Sequence, residues 1–184
     1  MKLQDAIKQR HSVQAFSPKK PDWRDIIECI DSARYAPMAG NNYSVKFTLV
    51  SDSDSIKKIA KAAQQPFIEQ AHYVVVTCSN PGRTVNAYGK RGEVYARQQA
   101  GAAIQNFLLR LTEEGLATCW IGHFVDSQIK KELNIPKEVN VEALFPIGYE
   151  KEKKRTRKAP IDMDRILYFH EYDKKKMKKL NKTY

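Results

Sequence analysis

The feature that most constrains the fold is a run of apolar and β-branched side chains at residues 73–78, Tyr-Val-Val-Val-Thr-Cys. Its continuous hydrophobicity is typical of a strand that is buried on both faces. Burying both faces requires a layer of other elements on each side of the sheet. The sequence therefore predicts a three-layer domain with this strand near its centre.

Apolar side chains at helical spacing predict the outer layers. The predicted helices are a short one before Arg10, one capped by Asp22, one capped by Ser53 or Asp54, one over residues 94–114 that stops at Gly115, and a short one capped by Asp126. The predicted strands are residues 45–50, 73–78, 116–122 and 141–149. Strands that alternate with helices on one core indicate an α/β or α+β fold.

Residues 79–93 are the least regular part of this pattern. They contain Pro81 and three glycines, Gly82, Gly89 and Gly92, and they show little periodicity. We therefore expect an irregular excursion over the surface, of the kind that covers a pocket.

Charge is distributed unevenly along the 184 residues, a length that suits one domain. The net charge is +11, and residues 151–184 hold 13 Lys and Arg against 5 Asp and Glu. Such a basic tail indicates a solvated end, a nucleic-acid surface or a site for an anionic cofactor. No RRM, KH, zinc-finger or helix-turn-helix pattern favours nucleic acid.

The sequence gives no indication of a membrane-spanning protein or of a metal site. No apolar run approaches the ~20 residues that span a bilayer, and the chain does not begin with a signal-peptide pattern. Cys29, Cys78 and Cys119 lie far apart in apolar segments and lack metal-ligand spacing. We expect buried free thiols and a cytoplasmic protein that binds neither membrane nor nucleic acid.

Side-chain catalysis also lacks a recognisable motif. There is no Walker A sequence, no G-x-G-x-x-G after a strand and no G-x-S-x-G turn. The four histidines have no zinc-ligand spacing, and no residue is placed as an activated nucleophile. If the chain is an enzyme, a bound cofactor carries the chemistry.

Residues 10–16, Arg-His-Ser-Val-Gln-Ala-Phe, follow the first predicted helix and precede a break at Ser17-Pro18. In an extended segment the side chains of Arg10 and Ser12 point to the same side and can reach one anion. The alternative is a basic helix end that complements the C-terminal dipole.

Six motifs in order identify a family. They are Arg10-His11-Ser12-x-x-x-Phe16, Ala33-Arg34-Tyr35-Ala36-Pro37-Met38-Ala39-Gly40-Asn41, Ala100-Gly101-Ala102-Ala103-Ile104-Gln105-Asn106-Phe107-Leu108-Leu109, Glu114-Gly115-Leu116-Ala117-Thr118-Cys119-Trp120-Ile121-Gly122, Pro146-Ile147-Gly148-Tyr149 and Arg155-x-Arg157-Lys158-Ala159-Pro160. Together they resemble the FMN-dependent nitroreductase family over about residues 2–160.

The resemblance implies a nitroreductase-like α+β fold, with three α/β/α layers and a mixed, mostly antiparallel sheet. It assigns the FMN-binding domain to residues 1–160 and a C-terminal extension to residues 161–184. In the family such an extension commonly wraps the partner subunit, and the resemblance implies a homodimer with FMN at the interface.

The resemblance also implies a set of cofactor-binding residues. Toward the phosphate they are Arg10, His11, Ser12, Gln14, Arg155 and Arg157, with Gln14 standing where the family often has a basic residue. Around the flavin ring they are Pro37, Met38, Ala39 and Asn41 from the other subunit, Gln64 or Gln65 at the pyrimidine side, and Trp120, Ile121 and Gly122 on the other face.

The implied activity is a two-step oxidoreduction at one site. NADH or NADPH delivers electrons to FMN, and a small planar acceptor such as a nitroaromatic or a quinone then takes them in a ping-pong reaction. One alternative is a specialised flavin-binding member of the family, such as a dehalogenase, a dehydrogenase or a flavin carrier. The other alternative is a basic module that binds nucleic acid through its tail.

Overall fold

A computed structural model describes residues 1–152 and 161–177. The chain divides into two compact units, residues 1–153 and 154–184. The predicted domain boundary at residue 160 lies outside the described residues and stays a prediction.

The sheet in the first unit has four strands in the order β1-β2-β4-β3. They are β1 (Val45–Val50), β2 (Tyr73–Ser79), β3 (Ala117–Thr118) and β4 (Asn140–Gly148). All three strand pairings are antiparallel. Every residue of β2 is buried, which confirms the predicted central strand. The α+β fold is confirmed.

The helices are α1 (Leu3–Gln9), α2 (Trp23–Asp31), α3 (Ser53–Ala63), α4 (Gly82–Tyr88), α5 (Arg91–Glu113) and α6 (Asp126–Glu132). Four short 3₁₀ turns are also described, at Ser32–Tyr35, Ala39–Asn41, Pro66–Gln70 and Met163–Arg165. Among the described residues no helix is both long enough and apolar enough to cross a membrane.

The two faces of the sheet carry separate clusters of core side chains. Alternate residues of a strand point to opposite faces. Val75 and Phe145 therefore pack with the α5 side chain Phe107 on one face, in a cluster that includes residues of α2. Val74 and Leu144 point the other way, into a cluster with residues of α3 and α6. Helices therefore cover both faces, as the apolar run at β2 predicts.

The expectation for residues 79–93 is wrong. Residue 79 belongs to β2, α4 occupies residues 82–88, and α5 begins at Arg91. The glycines permit close packing here, because a Cβ on Gly92 would overlap the backbone carbonyl of Thr84 in α4. Gly89 adopts φ 56° and ends α4, so the chain turns back into α5 without a long loop.

Helix ends follow their capping residues. The Asp22 side chain accepts a hydrogen bond from the Arg24 N–H and caps α2, as predicted. The cap of α3 is Asp52 rather than Ser53 or Asp54, since the Asp52 carboxylate accepts from the Ser55 N–H at 2.8 Å. Asp126 is the first residue of α6 rather than its cap, and Val125 takes that place without a side-chain hydrogen bond.

The predicted strand at residues 116–122 is shorter than expected. Gly115 adopts φ 71° beyond the end of α5, as its predicted role as a helix stop requires. Pairing with β4 is then limited to the two residues of β3 and an isolated bridge between Ile121 and Leu144. The chain leaves the sheet between these two contacts.

The described part of the second unit is a short ordered stretch. The rings of Tyr168 and Tyr172 lie 4.8 Å apart, and the Lys175 ammonium lies 4.1 Å from the centre of the Tyr168 ring. The Phe169 N–H donates to the Lys174 carbonyl at 2.8 Å.

Candidate functional site

The N-terminal residues 10–17 lie in extended conformation between β3 and the end of β4. The Val13 N–H donates to the Thr118 carbonyl at 2.9 Å. On the other side the Lys151 N–H donates to the Ala15 carbonyl at 3.0 Å. We call the pairing of residues 13–17 with residues 149–151 the seam, and residues 10–14 the anion segment.

Two apolar side chains fix the seam to the body of the fold. Val13 and Phe16 are each 5% exposed and pack with Ala71 in a small core of their own. The Phe16 N–H also donates to the Gln70 side-chain oxygen at 3.2 Å. Residues 13–16 are therefore held by packing and hydrogen bonds to several separate elements, which anchors the C-terminal end of the anion segment.

Polar side chains of the anion segment gather on one side. Burial raises the pKa of the Cys119 thiol, and hydrogen bonds with the side chains of Ser12 and Gln14 oppose that rise. Two side chains two positions apart therefore reach the same sulfur atom, as expected for extended backbone. Arg10 lies two residues before Ser12, at the same spacing, and is only partly buried. The predicted grouping of Arg10, Ser12 and Gln14 is compatible with this arrangement.

His11 points instead to the end of β4. Its Nε2 lies 3.1 Å from the Glu150 carboxylate, and its Nδ1 lies 2.8 Å from the Gln9 carbonyl oxygen. The pKa of His11 is raised above 6.5, chiefly by the hydrogen bond to Gln9; burial opposes the rise, and Glu150 adds to it. The nearby Arg10 guanidinium lowers the pKa slightly.

The strand end at Trp120, Ile121 and Gly122 presents an aromatic surface and open backbone. Ile121 and Leu144 exchange two backbone hydrogen bonds at 3.0 Å. Trp120 and Phe145 pack in a T-shaped arrangement with 5.6 Å between ring centroids, and Trp120 remains 44% exposed. A Cβ on Gly122 would come no closer than 4.0 Å to the Trp120 indole nitrogen, so the backbone there is accessible.

Gln64 and Gln65 lie where α3 ends. Gln64 adopts φ 54° as the C-cap of α3, and Gln65 begins the 3₁₀ turn Pro66–Gln70. Both line a surface cleft of about 530 Å³. The same turn supplies Gln70 to the backbone of Phe16, so these glutamines are structurally tied to the seam.

The loop containing Pro37, Met38, Ala39 and Asn41 contacts a different part of the unit. Its 3₁₀ turn Ala39–Asn41 packs on α4 and α5. Gly40 and Asn41 both adopt left-handed backbone, with φ 55° and 58°. The Tyr88 hydroxyl of α4 lies so close that a Cβ on Gly40 would overlap it. The described contacts of this loop are thus with helices, whereas the anion segment contacts the sheet.

Sequence reasoning missed Gln70, Tyr88 and Glu150. No local pattern marks them, because each acts on a residue far away in the chain; His11 and Glu150 are 139 positions apart. The predicted pair Arg155 and Arg157 lies outside the described residues. Among residues 1–152 and 161–177 no group of three or more His, Cys, Asp or Glu could hold a metal ion.

A family model and several similar proteins point to the same family. The sequence profile of the nitroreductase family matches residues 7–66 and 59–149. A protein of Archaeoglobus fulgidus, whose name provisionally assigns it as an NADH dehydrogenase/NAD(P)H nitroreductase, is 26% identical over 153 residues. That match covers 80% of this chain and 85% of the relative.

Solved structures show the same fold. A nitroreductase family protein from Clostridium novyi NT has a TM-score of 0.75 and 28% identity, covering 95% of this chain and 96% of that one. An FMN-dependent nitroreductase from Clostridium difficile R20291 has a TM-score of 0.78 and 20% identity, covering 91% and 98%. At 20% identity the second likeness concerns the fold alone.

Proposed function

The chain belongs to the nitroreductase family, and we propose that it is an FMN-dependent oxidoreductase that carries electrons from NADH or NADPH to a small planar acceptor such as a nitroaromatic or a quinone. The observation that carries the proposal is the anion segment. Its Ser12 and Gln14 side chains lie on one side, at the Cys119 thiol, and Val13 between them packs with Phe16 and Ala71.

The donor set fits a phosphate group. A guanidinium, a hydroxyl and a side-chain amide supply charge-assisted and neutral hydrogen bonds to phosphate oxygens. The carboxylate that contacts this segment, Glu150, is paired with His11 and so repels an anion less. Beside the segment, the Thr118 hydroxyl is buried with no hydrogen-bond partner among the described residues. Arg155 and Arg157 would add two further cations.

The remaining predicted residues suit a flat, polar-edged ring. Trp120 offers exposed aromatic surface, and Gly122 leaves the neighbouring backbone open. Gln64 and Gln65 would supply amide groups to the ring edge. When bound, FMN would supply reversible two-electron chemistry, and these residues would orient its ring.

A homodimer would cover the apolar surface of the first unit. Leu3, Trp23 and Ile27 are 45–68% exposed on α1 and α2. On α5 a Cβ at Gly101 would meet no atom of the described residues within 4 Å, which suits close approach of a second backbone. In such a dimer the loop at residues 37–41 would reach the flavin of the partner subunit, and residues 161–184 would extend over it.

Cys29, Cys78 and Cys119 are all buried free thiols. Burial raises the pKa of Cys29 to about 12 and that of Cys78 to about 11, so both are poorly reactive. Buried reduced thiols support placing the protein in a reducing compartment, the cytoplasm.

The visible spectrum of the purified protein tests this function. We expect flavin absorption bands that bleach on anaerobic addition of NADH or NADPH and return when a quinone or a nitroaromatic is added. Protein that is colourless and takes up no FMN on titration would overturn the proposal. Bound flavin that neither pyridine nucleotide reduces would instead favour a specialised flavin protein.

A further inference from the structure

Two surface clefts adjoin along one side of α3. The cleft of about 530 Å³ at Gln64 and Gln65 lies at the C-terminal end of the helix. A second cleft, of about 200 Å³, lies toward the start of the helix. Lys57 and Glu69 line both clefts, so the two share a boundary. We call the two clefts together the α3 groove.

Two lysines of α3 line this groove. Lys57 and Lys61 are four positions apart, so they lie on the same side of the helix, about 6 Å apart along its axis. Lys58 lies between them in the sequence and pairs instead with Glu132 of α6 at 3.0 Å. The groove therefore receives two cations one helical turn apart, close enough together to reach the two phosphate groups of a single diphosphate.

Both lysines are available to a ligand. Among residues 1–152 and 161–177 no carboxylate forms an ion pair with Lys61, which is exposed. Lys57 pairs with Asp54 at 3.0 Å, and the two side chains are 61% and 75% exposed. Ion pairs this exposed contribute little, because water screens them. A diphosphate in the groove can therefore replace Asp54 as the partner of Lys57.

The two ends of the groove differ in chemistry. The inner end holds Gln64 and Gln65, the amides proposed above for the edge of the flavin ring. The outer end holds Ser51, Ser53 and His72. Hydroxyl groups and an imidazole can form hydrogen bonds with a ribose or a purine base. The order along the groove is thus that of a pyridine dinucleotide, with the nicotinamide at the inner end, the diphosphate in the middle and the adenosine at the outer end.

The wall of the groove opposite α3 also contacts the anion segment and the seam. Ala71 lines the outer cleft and packs with Val13 and Phe16. Gln70, which ends the 3₁₀ turn of this wall, accepts a hydrogen bond from the Phe16 N–H at 3.2 Å. The groove therefore lies next to the residues proposed to hold FMN, where a reductant of the flavin has to bind.

We propose that the α3 groove binds the diphosphate and the adenosine of NADH or NADPH, with Lys57 and Lys61 on the diphosphate. The proposal rests on the proposed function, because it names the place where the reductant of that reaction binds. Glu69 lies in the same groove and should weaken the binding of an anion there.

Steady-state kinetics with menadione as the electron acceptor test the two lysines. For Lys57→Gln and Lys61→Gln we expect the KM of both NADH and NADPH to rise about three- to tenfold, the loss of one exposed charged contact. The kcat should change little, because the contact is the same in the ground state and the transition state. Glu69→Gln should lower both KM values. Lys58→Gln is the matched control, since it removes the same charge from the side of α3 that pairs with Glu132.

Two further ligands separate the groove from the flavin site. N-benzyl-dihydronicotinamide carries the reducing ring without diphosphate or adenosine, and all of these variants should oxidise it at the wild-type rate. ADP-ribose carries the diphosphate and the adenosine without nicotinamide, so its calorimetric titration measures the groove without turnover. Its binding should be weaker in Lys61→Gln, tighter in Glu69→Gln and unchanged in Lys58→Gln, with thermal melts confirming that each variant is folded.

Wild-type KM values and wild-type affinity for ADP-ribose in Lys61→Gln would overturn the assignment of the groove, and so would an equal loss of rate with the benzyl compound. A rise in KM for NADPH alone would place the lysines at its 2′-phosphate and would overturn their contact with the diphosphate. A wild-type flavin that no dihydronicotinamide reduces would instead refute the proposed function.

Discussion

The ring of Phe16 lies directly on the backbone of Gly148. A Cβ atom on Gly148 would be 3.3 Å from the ring carbon Cγ and only 2.9 Å from Cδ1, a distance that real Cβ atoms essentially never show. Phe16 belongs to the seam and Gly148 ends β4, so this contact sets the distance between the anion segment and the sheet.

Gly148→Ala should therefore disturb both stability and binding. The added methyl group pushes the Phe16 ring outward, and overpacking of this kind costs about 1–3 kcal/mol. Urea denaturation of the apo-protein measures the free energy of unfolding. Titration with FMN measures the loss of affinity that a displaced anion segment would cause. Adding Phe16→Leu should recover part of the binding by making room. If Gly148→Ala kept the stability and FMN affinity of the wild type, the contact between Phe16 and Gly148 would not restrict the position of the anion segment.

Arg10→Ala should yield mostly apo-protein with its fold intact. Loss of a charged hydrogen bond to phosphate costs about 1.5–3 kcal/mol, or roughly 10- to 100-fold in affinity. The flavin content after purification and the dissociation constant measure this loss. Lys8→Ala removes a neighbouring cation on α1 and serves as the control, with near-normal occupancy expected.

Gln14→Arg tests the same site from the other direction. The new guanidinium would stand beside Ser12 and should tighten FMN binding at low salt, with the gain decreasing as ionic strength rises. Full flavin occupancy in Arg10→Ala would contradict the assignment of residues 10–14 to the phosphate, and so would weaker binding by a folded Gln14→Arg variant.

Gly101→Ala distinguishes a monomer from the proposed dimer. In an isolated subunit the methyl group meets open space, and alanine stabilises a helix interior by about 1 kcal/mol relative to glycine. If α5 packs closely on a second copy, the same change should weaken association. Sedimentation over a range of concentrations, with thermal melts in parallel, measures both effects. A more stable protein with unchanged association would place the interface elsewhere.

Asp52→Ala should lower the melting temperature by about 2–4 °C, the shift typical of losing one helix cap in a chain of this size. The hydrogen bond from the Ser55 N–H is the largest cause lowering the pKa of Asp52 below 3.8. Its stabilising effect is therefore present above that pH and is lost as the pH falls through the lower, folded-state value. Asp52→Asn retains most of the cap, and Ser53→Ala is the control. Equal melting temperatures for the wild type and Asp52→Ala would argue against this cap.

The fold was largely predictable because its signals are local. The run at residues 73–78 specifies a doubly buried strand, and Asp22 marks the start of a helix by its own hydrogen bond. The prediction for residues 79–93 was wrong for a physical reason. The glycines there look like loop residues in the sequence, yet Gly92 is needed inside α5 so that α4 can cross it closely. Composition alone does not tell whether a glycine provides flexibility in a loop or close packing between helices.

The site was predictable only where one segment carries several of its groups. Ser12 and Gln14 are two positions apart in an extended stretch, so the sequence predicts that both side chains lie on the side where they meet Cys119. Glu150 and Gln70 reach the same region from distant elements, and no periodicity connects them with it. Long-range contacts of this kind depend on strand register, which a single sequence does not specify.

The seam also determines when the N-terminus can take its final shape during synthesis. His11 must wait for a partner 139 positions later in the chain. At about 5–20 residues per second the ribosome needs on the order of ten seconds to make that stretch. Until then Phe16 lacks the Gly148 backbone of β4 on which its ring lies. The seam is therefore among the last contacts of the first unit that can form on the ribosome.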